Sequence, residues 1–260
     1  MTREQFLNDQ FEKWQKCLPE RLVNLFYGYN TINKQTEKAV SYKIKDTDLP
    51  IFIEAIENCT ESRLSIRLGC DSEGNQSAIS DMPSFSPTLQ LSGTDCDNYF
   101  STQWDSNPPF LQQPSQGSGN SALGGIPVSG AYLFVYSWMK LPDNQLAGAF
   151  QALANSFNVR VKSYIYDQFT TDAIRMKVKE PGMDLTSVYV HLGYAEGNPV
   201  FNPFGFRPVL ELHFEEGISF ELSRNILPAA RGASLVRNTL SSFSYFYDFS
   251  SPCPPNCPTS

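Results

Sequence analysis

The chain has 260 residues, and 41% of them are hydrophobic, with 19 Phe, 12 Tyr and 3 Trp. This content is typical of a packed globular protein and excludes an intrinsically disordered chain. Acidic residues outnumber basic ones by 27 to 20, which gives a formal charge of −7, whereas binding to nucleic-acid phosphates requires a basic surface. We therefore expect no nucleic-acid partner.

The first residues and the cysteines indicate a cellular compartment. The N-terminus lacks the apolar core of a secretory signal, and no run of about 18 apolar residues occurs along the chain. The six cysteines lie in a chain large enough to fold without disulfides, so we expect reduced thiols. The sequence thus predicts a cytoplasmic protein without a membrane span.

The first element is a predicted amphipathic helix. Thr2 and Gln5 have the spacing of a capping box, and Pro19 follows the last apolar residue of the pattern. Apolar side chains recur on one helical stripe, at Leu7, Phe11, Trp14 and Leu18. These positions predict a helix that packs one face on a core.

The rest of the first half predicts three strands and one helix. Residues 40–45 alternate like a half-buried strand, and Asp46 is placed to cap a helix that runs to residue 58. Strands are predicted at residues 64–69 and 85–91. Residues 105–130 are rich in Pro, Gly, Ser and Gln, which is typical of a linker.

The second half predicts a similar series. The apolar run 131–139 is expected to be a buried strand, and Asp143 is placed to cap a helix that continues to residue 155. Basic side chains alternate with apolar ones around Val161 and Met176, which favours two strands with one solvated face. Further strands are predicted at residues 188–193 and 206–212.

Matching blocks in the two halves predict an internal duplication. Gly69 and Gly193 end corresponding strands, and Pro87 and Pro208 lie at the same place in the strands that follow. The predicted fold is therefore α+β with a mostly antiparallel sheet, built from two copies of a strand-helix-strand-strand unit. The expected divisions are residues 1–104, a linker at 105–130, and 131–260, with one shared sheet or two domains both possible.

The two histidines of the chain provide a candidate metal site. A hairpin near residue 201 would place His191 opposite Glu211, with His213 on the same face, as in a two-histidine, one-carboxylate site. The alternative is a solvated polar face, on which replacing both histidines with Gln changes stability by less than about 1 kcal/mol. The second interpretation is favoured, so no metal and no other cofactor is expected.

The candidate interaction site lies at the C-terminal residues or at the joint between the two copies. An aromatic strand contains Phe243, Tyr245, Phe246, Tyr247 and Phe249, and its imperfect alternation predicts exposed rings. A Cys-Pro-Pro-Asn-Cys tail follows. Its thiols, Cys253 and Cys257, could bind a metal, form a redox pair or attach to a partner. The alternative is that the tail is an unstructured end of the chain.

No nucleophile elbow, zinc-protease helix or dinucleotide fingerprint is found in the sequence. The carboxylates of Asp46 and Asp143 have an explanation as helix caps without catalysis. We therefore predict a non-catalytic binding or assembly protein that contacts a protein partner or a second copy of itself. The alternative is a metal-assisted hydrolase that uses His191, Glu211 and His213.

Overall fold

The computed structural model describes residues 2–30, 32–71, 82–112, 125–154, 157–195, 205–216, 242–248 and 251–253. The α-helices are α1 (Arg3–Lys16), α2 (Leu22–Leu25), α3 (Leu49–Asn58), α4 (Pro109–Gln112), α5 (Val128–Lys140), α6 (Asp143–Ala149) and α7 (Gln168–Val178). The strands are β1 (Tyr27–Asn30), β2 (Gln35–Lys38), β3 (Ser41–Ile44), β4 (Ser62–Cys70), β5 (Phe85–Gly93), β6 (Asp97–Asp105), β7 (Gln151–Ala154), β8 (Phe157–Arg160), β9 (Ser163–Ile165), β10 (Met183–His191), β11 (Val209–Glu216), β12 (Ser242–Asp248) and β13 (Ser251–Cys253).

Nine strands form one antiparallel sheet in the order β12-β11-β10-β3-β6-β5-β4-β9-β13. Strands from both halves of the chain alternate in it, because β10 pairs with β3 through Val190 and Tyr42. The predicted α+β class and mostly antiparallel sheet are confirmed. The two halves share this sheet rather than forming one sheet each.

The sheet is strongly curled. Its two end strands, β12 and β13, are consecutive in the chain, although they pair with β11 and β9 at opposite ends of the strand order. The Tyr166 hydroxyl, just after β9, donates to the Tyr247 carbonyl oxygen in β12 at 3.3 Å. This contact joins the two ends of the sheet.

An aromatic cluster fills the concave side. Trp14 of α1, Phe26, Phe85 of β5 and Phe150 make pairwise ring contacts with centroids 4.6–6.4 Å apart. Trp138 of α5 joins them, and its Nε1 donates to the Ala39 carbonyl oxygen at 2.9 Å. Because these rings come from both halves of the chain, one core stabilises the whole sheet.

The α1 helix agrees with its prediction, but the other predicted caps do not. Thr2 and Gln5 form the capping box, with both reciprocal bonds present. Asp46 instead pairs with Lys43, and α3 begins after Asp48, whose side chain binds the Ser101 amide rather than its own helix. Asp143 lies inside the first turn of α6 and accepts from the Tyr27 hydroxyl at 2.9 Å.

Two predicted strands are helices. Residues 131–139 belong to α5, in which Ala131, Val135 and Trp138 are buried at helical spacing while intervening apolar side chains face outward. The residues around Met176 belong to α7, and Asp167 is its N-cap because the Asp167 side chain accepts from the Thr170 amide. In the first segment an apolar run concealed a period near 3.6, and in the second a short alternation of basic and apolar residues had the appearance of a strand.

The internal duplication is not confirmed. The two hairpins do share a register, since Leu64 pairs with Leu91 and the corresponding Val188 pairs with Leu212. However, the strand at the start of the first unit, β3, corresponds to the last turns of helix α5 in the second. The predicted linker likewise contains α4 and the start of α5, and its residues 113–124 lie outside the described parts of the chain.

Among the described residues, the helices are all too short or too polar to cross a membrane. Partners and cellular location stay predictions.

Alkaline pH is expected to destabilise this fold through its buried tyrosines. Burial raises the pKa values of Tyr42, Tyr164 and Tyr166, and burial with nearby carboxylates raises the pKa of Tyr189 to about 12. In the unfolded chain a phenol ionises near pH 10. Stability is therefore full below about pH 10 and falls as the pH rises toward 12. Urea midpoints measured at pH 8 and pH 11 check this, and equal midpoints would contradict it.

Candidate functional site

The face of the sheet opposite the aromatic core carries a row of polar side chains. In each strand the residues alternate, so that Tyr42, Val190 and Leu210 pack in the core while their neighbours point the other way. The outward residues on four adjacent strands are Ser41 of β3, His191 of β10, Glu211 and His213 of β11, and Ser244 of β12. We call these five residues the polar network.

The polar network is continuous. The Ser41 Oγ lies 2.7 Å from His191 Nδ1, and His191 Nε2 lies 2.7 Å from Glu211 Oε2. Ser244 donates to Glu211 Oε1 at 2.5 Å, and its oxygen lies 2.9 Å from His213 Nδ1. Because an ionised carboxylate only accepts, one arrangement of hydrogens satisfies every contact: Ser41 donates to His191, His191 and Ser244 donate to Glu211, and His213 donates to Ser244.

Three of the five residues of the network are enclosed. Ser41 and His191 are 0% exposed and Glu211 is 2% exposed. The ring of Phe110 from α4 lies 5.1 Å from the His191 ring, and Phe246 lies 5.0 Å from Phe110. Together with Ala131, Val135 and Val209 these rings form a second, smaller core beneath α5. The network therefore links four strands sideways and supports the surface on which α5 lies.

This arrangement has the residue types of a serine-histidine-carboxylate triad but not its accessibility. The Ser41 hydroxyl is buried and already donates to the imidazole, so it presents no oxygen to a substrate. Both ring nitrogens of His191 are engaged, which leaves none to ligate a metal. Within the described residues, no group of three His, Cys, Asp or Glu side chains is placed to hold a metal ion.

Sequence reasoning found three of the five network residues but misjudged their surroundings. The cross-strand partner of Glu211 is Tyr189, and that of His191 is Val209, so the predicted pairing is displaced by two residues. The His191 and Glu211 side chains still meet diagonally. The expected solvated face is wrong for both, because α5 and Phe110 cover them; only His213 keeps a partly exposed side chain, at 21%.

Among the described helices, α5 carries the most exposed large hydrophobic side chains. Tyr132 is 38% exposed, Leu133 59%, Tyr136 45% and Met139 46%. Their spacing places them on one face of the helix. The Tyr132 and Tyr136 rings stack at 6.2 Å with 17° between their planes, and Lys140 Nζ lies 5.5 Å from the Tyr136 ring. We call Tyr132, Leu133, Tyr136 and Met139 the α5 patch.

Contacts at both ends hold the α5 patch in place. The Ile126 amide, just before the helix, donates to the Phe246 carbonyl oxygen at 2.8 Å. At the other end Lys38 Nζ donates to the Leu141 carbonyl oxygen at 2.9 Å, where a cation also complements the helix dipole. The patch is thus presented by a fixed helix.

The predicted aromatic interaction strand is mostly internal. It forms β12, in which Phe246 is 3% and Tyr247 is 0% exposed, so neither can meet a partner in this fold. Tyr245 is half-buried and lies under Lys177 Nζ at 4.2 Å from its ring centroid, and Phe243 is likewise half-buried. Phe249 lies outside the described residues. The exposed rings that the sequence predicted are on α5 instead.

The tail thiols are described only in part. Cys253 is the last residue of β13, where its backbone pairs with Ser163 of β9, and Cys257 lies outside the described residues. Four other cysteines, Cys17, Cys59, Cys70 and Cys96, carry reduced thiols. Burial raises the pKa of Cys70 to about 12, which keeps it protonated and unreactive.

Comparisons of this chain with protein-family models, with curated proteins and with solved structures find no match.

Proposed function

We propose that this chain is a non-catalytic binding or assembly protein and that the α5 patch is its contact surface for another protein chain. The observation that carries the proposal is four large apolar side chains, each more than a third exposed, side by side on one helix. Contiguous exposed apolar surface on a protein usually marks a contact site, because burying it on association is favourable.

The composition of the patch also favours a protein partner. Tyr and Met are enriched at the centres of protein interfaces, where Tyr buries a large area at low entropic cost. The helix that carries them is held at both ends, so little ordering is needed on binding. A groove or a helix with an apolar face, on another protein or on a second copy of this chain, fits this surface.

The proposal moves the predicted contact from the C-terminal aromatic strand to α5. Deletion of β12 does not test association, because β12 pairs with β11 over seven residues and contains the buried Tyr247. Its removal would disturb folding first. No described contact favours the alternative metal-assisted hydrolase, since Glu211 and His191 are bound to each other and enclosed.

Leu133→Asp is expected to abolish association without unfolding the protein, because Leu133 is 59% exposed and an aspartate there introduces charge into the contact. Sedimentation velocity of the full chain over a wide range of concentrations measures self-association. Met176→Asp is the matched control, since Met176 is an exposed apolar residue on a different helix, α7, at 70%.

The expected result is concentration-dependent association of the wild type and of Met176→Asp, and a monomer for Leu133→Asp with an unchanged circular dichroism spectrum. Equal association of both variants would show that α5 is not the contact. If the wild-type chain stays monomeric at every concentration, the partner of the α5 patch is not a second copy of this chain but a different protein.

A further inference from the structure

A cavity of about 320 Å³ is formed where α1 meets β4 and the residues that lead into β9. Its volume is at the lower end of the range of small-molecule sites, roughly 300–1,000 Å³. One face of α1 forms one wall, on which Asn8, Phe11 and Gln15 recur at helical spacing. Arg67 of β4 and Lys162, which precedes β9, line the opposite side. The cavity therefore joins the N-terminal helix to the sheet.

The charge of this cavity is opposite to that of the chain. Its lining contains three cations, Lys16, Arg67 and Lys162, and one carboxylate, Glu12. Lys16 Nζ lies 2.9 Å from Glu12 Oε2, so these two charges offset each other. The lining as a whole is positive by two charges, whereas the chain has a formal charge of −7. A local positive potential of this kind attracts an anion.

Arg67 is placed to donate hydrogen bonds to such an anion. Its Cζ lies 4.0 Å from the centroid of the Phe11 ring, which supports the plane of the guanidinium, and its Nη1 lies 3.5 Å from the Tyr99 hydroxyl oxygen. Among the described residues, no nitrogen of Arg67 is both buried and unpartnered, so the donors that Tyr99 does not use are open to solvent. A planar guanidinium binds two oxygens of a phosphate or carboxylate at once.

The sheet holds Lys162 beside Arg67. The Lys162 carbonyl oxygen accepts from the Leu68 amide at 2.9 Å, and the next residue, Ser163, pairs with Arg67. Neighbouring strands lie about 4.8 Å apart, which is short compared with the reach of these two side chains. Both cations can therefore contact one group of a ligand.

The end of α1 near this cavity does not repel an anion. A helix has a partial negative charge at its C-terminal end, on carbonyl oxygens without helical partners. Arg160 Nη1 donates to two such oxygens, those of Trp14, at 2.8 Å, and of Cys17. The guanidinium of Arg160 thus offsets the negative end of the helix two residues before Lys162.

From this geometry we infer that the cavity binds a small, soluble phosphate monoester, with Arg67 donating to the phosphate oxygens and Lys162 providing the second positive charge. A phosphate monoester has a charge of about −2 at neutral pH, which matches the lining. The Phe11 ring and the amides of Asn8 and Gln15 remain for the organic part of the ligand. Since α5 does not line this cavity, the site is independent of the proposed contact surface.

Calorimetry of the full chain at low ionic strength tests this inference, with ethyl phosphate as the probe and with acetate and succinate as carboxylate controls. Ethyl phosphate is expected to bind saturably at one site and about tenfold more tightly than either control, because two cations act on a single group. Amide NMR of the same titration is expected to show the largest shifts at Arg67, Leu68 and Lys162. Vesicles of phosphatidylcholine with phosphatidic acid test a lipid headgroup as the source of the phosphate.

Arg67→Gln and Lys162→Gln are each expected to weaken the binding of ethyl phosphate about tenfold. Arg63→Gln is the matched control, since Arg63 is an exposed cation on the same face of β4 but does not line the cavity, and it should leave the affinity unchanged. Circular dichroism checks the fold of each variant. Because Arg67 packs on Phe11, Lys162→Gln provides the test if Arg67→Gln is misfolded.

Four results would overturn the inference. The first is the absence of saturable binding of ethyl phosphate, and the second is an affinity for succinate that equals or exceeds it. The third is an equal loss of affinity in Arg63→Gln and in the cavity variants, which would indicate attraction by overall charge alone. The fourth is binding to vesicles with phosphatidic acid but not to ethyl phosphate, which would assign the surface to a lipid headgroup.

Discussion

Replacing Glu211 with alanine is expected to lower the free energy of unfolding by about 3–5 kcal/mol. Glu211 is 2% exposed and accepts from His191 at 2.7 Å and from Ser244 at 2.5 Å. Its removal leaves the buried His191 donor and the partly buried Ser244 donor without an acceptor, and an unsatisfied buried donor costs about 1–3 kcal/mol. The cavity left by the side chain adds to this loss.

Urea unfolding measures the change, with Glu215→Ala as the matched control. Glu215 lies on the same strand and the same face but is exposed, so its replacement should change stability by about 0.5 kcal/mol or less. Glu211→Ala could instead lower the free energy of unfolding no more than Glu215→Ala does. The polar network would then not be formed as described, and Glu211 would lie on the solvated face that the sequence predicted.

Arg175→Met is expected to cost about 2–4 kcal/mol. The Arg175 side chain of α7 donates from Nε to the Ile56 carbonyl oxygen at 2.9 Å and from Nη2 to the Cys59 carbonyl oxygen at 2.6 Å and the Ser62 hydroxyl at 3.2 Å. The two carbonyl acceptors are at the C-terminal end of α3, where free carbonyls require donors, and Ser62 is the first residue of β4. Methionine preserves much of the apolar stem and removes only the donors.

The matched control for Arg175→Met is Lys179→Met, at the end of the same helix, where the side chain is exposed and a change of about 0.5 kcal/mol is expected. Because α3 and α7 come from different halves of the chain, near-ultraviolet and far-ultraviolet circular dichroism should report one shared transition in the variant. Equal stability of the two variants, or separate transitions for the two halves, would contradict the single shared core.

The elements that the sequence predicts well have local signals. The capping box of Thr2 and Gln5 fixes the start of α1, and alternating apolar residues fix β4 and β5. The α5 helix was missed because apolar residues on both its sides hide its period, and the buried Ala131, Val135 and Trp138 mark its inner face. The exposed apolar face of α5 therefore gave this segment the sequence pattern of a buried strand.

The polar network could be predicted only in part, because its contacts are distant in the sequence. Ser41 and His191 are separated by 150 residues, and their contact depends on the pairing of β3 with β10 across the two halves. A serine in a short strand carries no local signal of such a partner. The sequence likewise gave no sign that Phe110, in a segment with the composition of a linker, would cover the His191 ring.

Site-specific photo-crosslinking tests the proposed contact surface most directly. Benzoylphenylalanine placed at Leu133 in the full chain, irradiated in living cells, is expected to give a discrete covalent adduct with one protein, which mass spectrometry identifies as a second copy or another chain. The same probe at Met176, exposed on α7, is the control and should give none. No adduct at Leu133, or the same adducts from both positions, would contradict a contact through α5.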